Sequence, residues 1–187
     1  MANIHDLVEQ PLSDDDLRNL LSDFQPVRIL TYSELSKYDD IQQLLPNNKD
    51  YVIILVQFKI NFGHWVGLAR NYDNIFYFDS YGYRVDKHHD LQPQNMKNKL
   101  NQKEPILSWL LNNAIDNGFN VYFNSKKYQK DSRPTSNINT CGRHVATFLK
   151  YFMTHNNPNF KNYYNYMNGL KNKYNLNYDY VVTKLTE

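Results

Sequence analysis

Between residues 51 and 79 three apolar runs follow one another with almost nothing between them, and that spacing constrains the fold more than any other feature of the chain. The first, 51–58, reads YVIILVQF and is dense in β-branched and apolar side chains; 64–69 and 75–79 follow. The breaks at 61–63 and 71–74 carry Asn, Gly and Asp, residues that favour turns. Links that short join antiparallel neighbours, because a parallel pair needs a crossover of a dozen or more residues. The three runs therefore predict an antiparallel meander.

The flanking segments read as helices. Ser13 precedes Asp14, Asp15 and Asp16, an N-cap followed by acids at the positive end of a helix. Leu17, Leu20, Leu21 and Phe24 continue it as an apolar stripe. Residues 27–30 read as a short strand. Thr31 and Glu34 form a capping-box pattern opening a second helix through Tyr38, and 41–45 is a third, stopped by Pro46. Beyond the meander, 83–103 is polar, holds Pro93 and shows no clear period, so it reads as a surface excursion. Pro105 opens a helix whose buried stripe is Ile106, Leu107, Leu110, Leu111, Ala114 and Ile115, ending at Gly118. A short strand at 120–124 and a polar loop at 126–140 lead to a helix over 142–153, with Val145, Phe148, Leu149 and Phe152 on one face. Aromatic-rich helical stretches fill 158–187. No repeat appears. The order predicts an α+β fold, a central mostly antiparallel sheet flanked by helices, in one domain spanning 1–187.

Composition narrows the classes. A core for 187 residues is stable without staples. One cysteine forms no internal disulfide, and a reducing, intracellular site of action is the simplest reading. Residues 1–10 hold no apolar signal core, and the longest apolar run, 51–56, has the length of a buried strand, so neither secretion nor a membrane span is expected. A net charge of +2 does not by itself imply nucleic-acid binding. Lys126, Lys127, Lys130 and Arg133, and later Lys161, Lys171 and Lys173, form local clusters that read first as solvated faces. No phosphate loop or dinucleotide fingerprint occurs. His88 and His89 beside Asp86 and Asp90 suggest a metal site, but no second cluster supports it, and no metal or cofactor is expected.

One constellation carries chemistry. A free thiol is mostly protonated at neutral pH, and a neighbouring imidazole or helix N-terminus lowers its pKa. Cys141 sits just before the 142–153 helix; Gly142 leaves room for close backbone approach by a substrate. His64 stands at the start of one predicted strand and Asp79 at the end of the next, so pairing of the two strands as a hairpin puts both at one end, where the carboxylate can orient the imidazole. Each alone has a plainer reading: a buried inert thiol, a structural histidine, a turn-initiating Asp. An oxyanion hole needs donors. The Cys141 backbone N–H is one; Gln129 is the first choice for a side-chain amide, with Asn137 and Asn139 behind it.

The runs Gly63-His64-Trp65-Val66-Gly67-Leu68, Phe76-Tyr77-Phe78-Asp79-Ser80-Tyr81-Gly82 and Asn139-Thr140-Cys141-Gly142-Arg143-His144 resemble the His…Asp…Cys signature of adenain-like and SUMO-protease-like cysteine proteases. The likeness covers roughly 12–185, with only these three motifs specific. The last run is most similar to that of capsid-maturation proteases of double-jelly-roll DNA viruses, virophages and polinton-like elements among them. Heavy use of Asn, Lys, Tyr and Ile fits an A/T-rich genome of that kind. The resemblance implies an adenain-like endopeptidase with Cys141 as nucleophile, His64 as base and Asp79 as its orienting carboxylate. It implies a capsid or core precursor as substrate, cut near a Gly-containing site, with Trp65 as a wall of a narrow cleft. A monomer in the virion or the cytoplasmic viral factory is expected, and DNA is a candidate activator through the Lys-rich stretches. One departure stands out: the family's oxyanion Gln usually precedes the Cys closely, where this chain has Pro134, Thr135 and Ser136, so the loop must bulge for Gln129 to serve. Other readings are an isopeptidase for ubiquitin-like modifiers, an acetyltransferase with the same triad, and a non-enzymatic virion protein.

Overall fold

Side chains alternate along the first apolar run. Tyr51, Ile53 and Leu55 pack into one core layer, Val52, Ile54 and Val56 into another, and all six are buried. A strand that is apolar on both faces has to lie between two layers. In the computed structural model, which describes residues 3–130 and 137–187, that strand belongs to a five-stranded sheet with helices on both faces, an α+β fold.

The chain runs α1 (Ile4–Glu9), α2 (Asp14–Leu20), β1 (Ile29–Thr31), a short 3-10 helix (Tyr32–Lys37), α3 (Ile41–Leu44), β2 (Lys49–Lys59), β3 (Phe62–Asn71) and β4 (Asn74–Asp79). It continues through α4 (Lys87–Asp90), α5 (Gln94–Lys99), α6 (Ile106–Asp116), β5 (Asn120–Phe123), α7 (Cys141–Thr154), α8 (Phe160–Tyr174) and α9 (Tyr178–Leu185). Arg133 of the first basic cluster and the 134–136 stretch lie outside the described residues.

The strands lie in the order β1-β2-β3-β4-β5. β2, β3 and β4 form the expected antiparallel meander. β1 and β5 join its edges in parallel, each across a connection that contains helices. On one face, Phe78 stacks on Phe148 of α7 with ring centroids 4.6 Å apart, in a layer that also takes Tyr163 and Val181. On the other, Leu35, Ile41, Leu107 and Leu110 cover Val52, Ile54 and Leu68.

Gly67 sets the approach of α7. A Cβ at this position would stand 3.2 Å from Val145 Cγ1 and 3.5 Å from Phe148 Cδ1. Its absence lets the helix lie close over the middle of β3, which carries His64 near its start. The Ser13 capping box is present: Asp16 N–H donates to Ser13 Oγ at 3.2 Å, and Ser13 N–H donates to Asp16 Oδ2 at 2.8 Å.

Three local expectations change. Ile115, placed in the buried stripe of α6, is half exposed near the helix end. The Thr31–Glu34 box is formed, yet it opens a 3-10 helix of 6 residues, a length that gains little from α-helical propagation. The 83–103 stretch, read as a surface excursion, holds two short helices and buries Asp86, His88, His89, Gln92 and Gln102. Polar side chains anchor it. Gln92 Nε2 and Gln102 Nε2 donate to the Gln57 carbonyl at 2.7 and 2.9 Å, and Gln57 N–H donates to Gln102 Oε1 at 3.2 Å. Asp86 accepts from Tyr32 Oη at 2.7 Å and from Ser108 N–H in the first turn of α6 at 2.9 Å. Such pairings leave no apolar period in the sequence.

Candidate active site

β4 ends at Asp79, whose partner on β3 is Val66. His64 stands two residues beyond that pair, past the end of β4, so no β4 backbone covers it. Its Nε2–H donates to Asp79 Oδ1 at 3.1 Å. The Cys141 thiol lies close enough to the His64 ring for the two groups to act on each other electrostatically. The three expected residues therefore meet. All are buried: 4% of His64, 0% of Asp79 and 9% of Cys141 remain exposed, so the charges act on one another with little solvent screening.

The electrostatics favour a thiolate–imidazolium pair. Burial opposes the charged forms of both groups. For His64 the Asp79 carboxylate, its hydrogen bond and Cys141 outweigh that opposition and raise the pKa to about 10. For Cys141 burial pushes the thiol up, but the hydrogen bond and charge of His64, with the backbone N–H groups of Trp65 and Gly142, bring it below the ordinary thiol value. Cys141 is the first residue of α7, one position later in the helix than expected from sequence. The preceding residue, Thr140, makes no side-chain cap. Its hydroxyl instead donates to Asp179 Oδ1 at 2.6 Å. The first-turn N–H groups are thus left to the sulfur.

Asp79 is held on every side. Tyr81 N–H donates to Oδ1 at 2.8 Å, and His88 Nε2–H donates to Oδ2 at 2.8 Å. Its backbone is clamped by Asn124, which accepts from Asp79 N–H at 2.8 Å and donates to Asp79 O at 2.7 Å. Against the opposing effect of burial, the charge and hydrogen bond of His64, followed by those of His88, hold the carboxyl well below the usual carboxylate range. The polar atoms of His64, Asp79 and His88 lie within 4.8 Å of one another. Each carboxylate oxygen already accepts an imidazole N–H at hydrogen-bond length, so the cluster reads as a hydrogen-bonded relay.

A cleft of about 570 Å³ opens onto Cys141. Leu12, Leu55, Phe62 and Trp65 form apolar walls, and Asp14 and Asp15 line it too. Trp65 Nε1–H donates to Leu12 O at 3.2 Å, tying one wall to the N-terminal segment. A Cβ on Gly142 would meet Leu12 Cβ and Trp65 Cδ1 at 3.2 Å. The space left by this glycine is therefore taken by the protein's own side chains, which narrow the cleft beside the sulfur.

No family model matches the chain. Over 176 residues it is 30% identical to a protein of Sputnik virophage, uncharacterized protein V9, an alignment covering 94% of this chain and 93% of the relative. The chain belongs to the V9 family of virophage proteins. No helix among the described residues of this V9-family chain is long and apolar enough to cross a membrane.

The amide candidates of this V9-family chain fare differently. Gln129 is buried against the residues that follow Asp79. Its Oε1 accepts from Ser80 Oγ at 2.7 Å, and its Nε2 donates to Tyr81 Oη at 3.2 Å and to Ile138 O at 3.4 Å. Asn139 Nδ2 donates to Glu9 O at 2.8 Å and its N–H to Val8 O at 3.0 Å, so it ties the N-terminal segment to the loop before Cys141. Asn137 is exposed. Three residues around the site carry no role in the sequence analysis: Tyr81, Asn124 and Asp179. Tyr81 stacks on the His64 ring at 4.9 Å. Asp179, fully buried on α9, accepts from Thr140, from His144 Nε2–H at 3.1 Å and from Lys130 N–H at 3.2 Å. His88 was visible as part of a His-His pair, but its partner is Asp79 and not the neighbouring acids.

Proposed function

We propose that this chain is a cysteine endopeptidase that matures a viral capsid or core precursor. The observation that carries the reading is the buried Cys141–His64–Asp79 cluster, of which Cys141 lines the cleft, with the thiol lowered and the imidazole raised. In the proposed mechanism the Cys141 thiolate attacks a peptide carbonyl carbon, and the carbonyl electrons move to oxygen. His64, protonated, gives its proton to the leaving amine as the C–N bond breaks. Water, deprotonated by His64, then hydrolyses the thioester and returns the thiol. Asp79 keeps the imidazole in one tautomer and stabilises its charged form.

The Cys141 backbone N–H serves as one oxyanion donor. Gln129 serves as the second if Nε2 exchanges its long contact with Ile138 O for the oxyanion. The narrowing by Trp65 and Leu12 supports small residues, glycine among them, next to the scissile bond. The fold and the virophage kinship agree with an adenain-like protease working in the virion or viral factory, and DNA remains a candidate activator through the Lys-rich stretches.

The test is incubation of purified chain with the capsid precursor of its own virus. Cleavage by the native protein and none by Cys141→Ala supports the reading; equal processing by both overturns it. Modifier-fused reporters run alongside, and preferential release of a ubiquitin-like modifier would reassign the substrate. Added DNA that leaves the rate unchanged removes it as an activator.

A further inference from the structure

His64 and His88 hold the two oxygens of one carboxylate. Their rings are 4.1 Å apart, each presenting Nε2 to Asp79, at 3.1 Å on Oδ1 and 2.8 Å on Oδ2. Asp79 has no exposed surface, so water cannot replace either donor. His88 comes from α4, in the stretch that the glutamine contacts pin over the end of β2. It is boxed by Phe58 from β2 and by Tyr81 and Tyr83 from the loop after β4.

We infer that His88 is a positioning residue which, by donating to Oδ2, fixes the plane of the Asp79 carboxylate so that Oδ1 stays on His64. This rests on the reading of Cys141, His64 and Asp79 as a triad. A carboxylate with one buried oxygen unpaired either turns to share its remaining donors or takes up a proton. Either outcome weakens its hold on the His64 imidazolium and, through it, on the Cys141 thiolate. His88 must supply its proton while neutral. Burial first, then the positive charge of His64, lower its pKa despite the Asp79 carboxylate. The titratable groups facing it are His64, Asp79, Tyr81 and Tyr83, with Lys87, His89 and Asp90 on its own helix.

Three variants separate positioning from packing. H88F keeps an aromatic ring in the box but has no donor. H88Q places an amide N–H near the position of Nε2. H88N offers an amide too short to reach Oδ2. The readouts are thiolate absorbance of Cys141 against pH, and kcat and KM for precursor cleavage. H88F and H88N are expected to lower kcat about tenfold to a hundredfold with KM little changed, and to move the thiolate titration upward. H88Q is expected to restore most of both. If H88F does not fold, the comparison of H88N with H88Q carries the test. Variants that titrate and turn over like the native chain, or H88N and H88Q that behave alike, overturn the role of His88 and leave the triad standing. An ordinary thiol titration in the native chain overturns the triad itself, and the role of His88 with it.

Discussion

His64 gives Nε2 to Asp79 and acts electrostatically on Cys141, so one imidazole couples a carboxylate at the end of β4 to a sulfur at the start of α7. The link depends on β4 stopping at Asp79, two residues short of covering His64, and on α7 lying close over β3. Each dependence can be perturbed separately.

Asp79→Asn keeps the shape of the side chain and removes its charge. Loss of the orienting carboxylate in a comparable triad costs about ten-thousandfold in kcat. A fall of at least about a hundredfold is expected in precursor cleavage, with the His64 pKa lower than in the native chain when followed by NMR.

The pH dependence has a definite sign. Activity is expected to fall on the acid side as the Cys141 thiolate is protonated, and on the alkaline side as His64, whose pKa is raised to about 10, loses the proton meant for the leaving amine. Stability follows the same groups. The pKa of Asp79 is depressed, so its contribution is present above the ordinary value of 3.8 and is lost as pH falls toward the lower folded value. That of His64 is raised, so its contribution is full below 6.5 and is lost as pH rises through about 10. Cleavage rates and thermal melting across pH check both statements.

Gly67→Val tests the seating of α7. Its Cβ alone would stand 3.2 Å from Val145 Cγ1 and 3.5 Å from Phe148 Cδ1, and the two methyl groups beyond it demand further space. Overpacking of this kind costs about 1–3 kcal/mol. Denaturant unfolding measures the loss, and the folded fraction is expected to show reduced activity because Cys141 moves with its helix.

Asp179→Ala removes the acceptor that Thr140, His144 and the Lys130 N–H share. Stranded buried donors cost about 1–3 kcal/mol each. A fall of at least about 2 kcal/mol in unfolding free energy is expected. Asp179→Asn, which retains an acceptor oxygen, is expected to lose less.

Leu12→Ala opens the narrow end of the cleft over Gly142. Cleavage of peptides with residues larger than glycine beside the scissile bond is expected to rise relative to glycine substrates, measured as a ratio of kcat/KM. An unchanged ratio would remove Leu12 from specificity.

The meander, the helix after Cys141 and the meeting of His64, Asp79 and Cys141 were legible because each leaves a local mark: apolar runs with short breaks, an amphipathic stripe, a motif at a strand or helix end. Asn124 and Asp179 leave none, and the His88-His89 pair points to the neighbouring acids and not to Asp79. The partners of His88, Asn124 and Asp179 lie 9, 45 and 39 residues away in the chain, and a single polar contact at such separation has no period to read. The 83–103 stretch misled for a related reason. Its anchors are amides and a carboxylate, which look like solvent-facing residues until their partners are known. Gln129 was read as an oxyanion donor, and its burial beside Ser80 and Tyr81 puts it near the site without aiming it at the sulfur.

The rate at which iodoacetamide alkylates Cys141, followed from acidic to alkaline pH, tests the central claim most directly. The account predicts a thiol already reactive well below its ordinary titration, and a return to the ordinary profile in His64→Ala. A native profile that rises only through the ordinary thiol range, and is indifferent to His64→Ala, would contradict it.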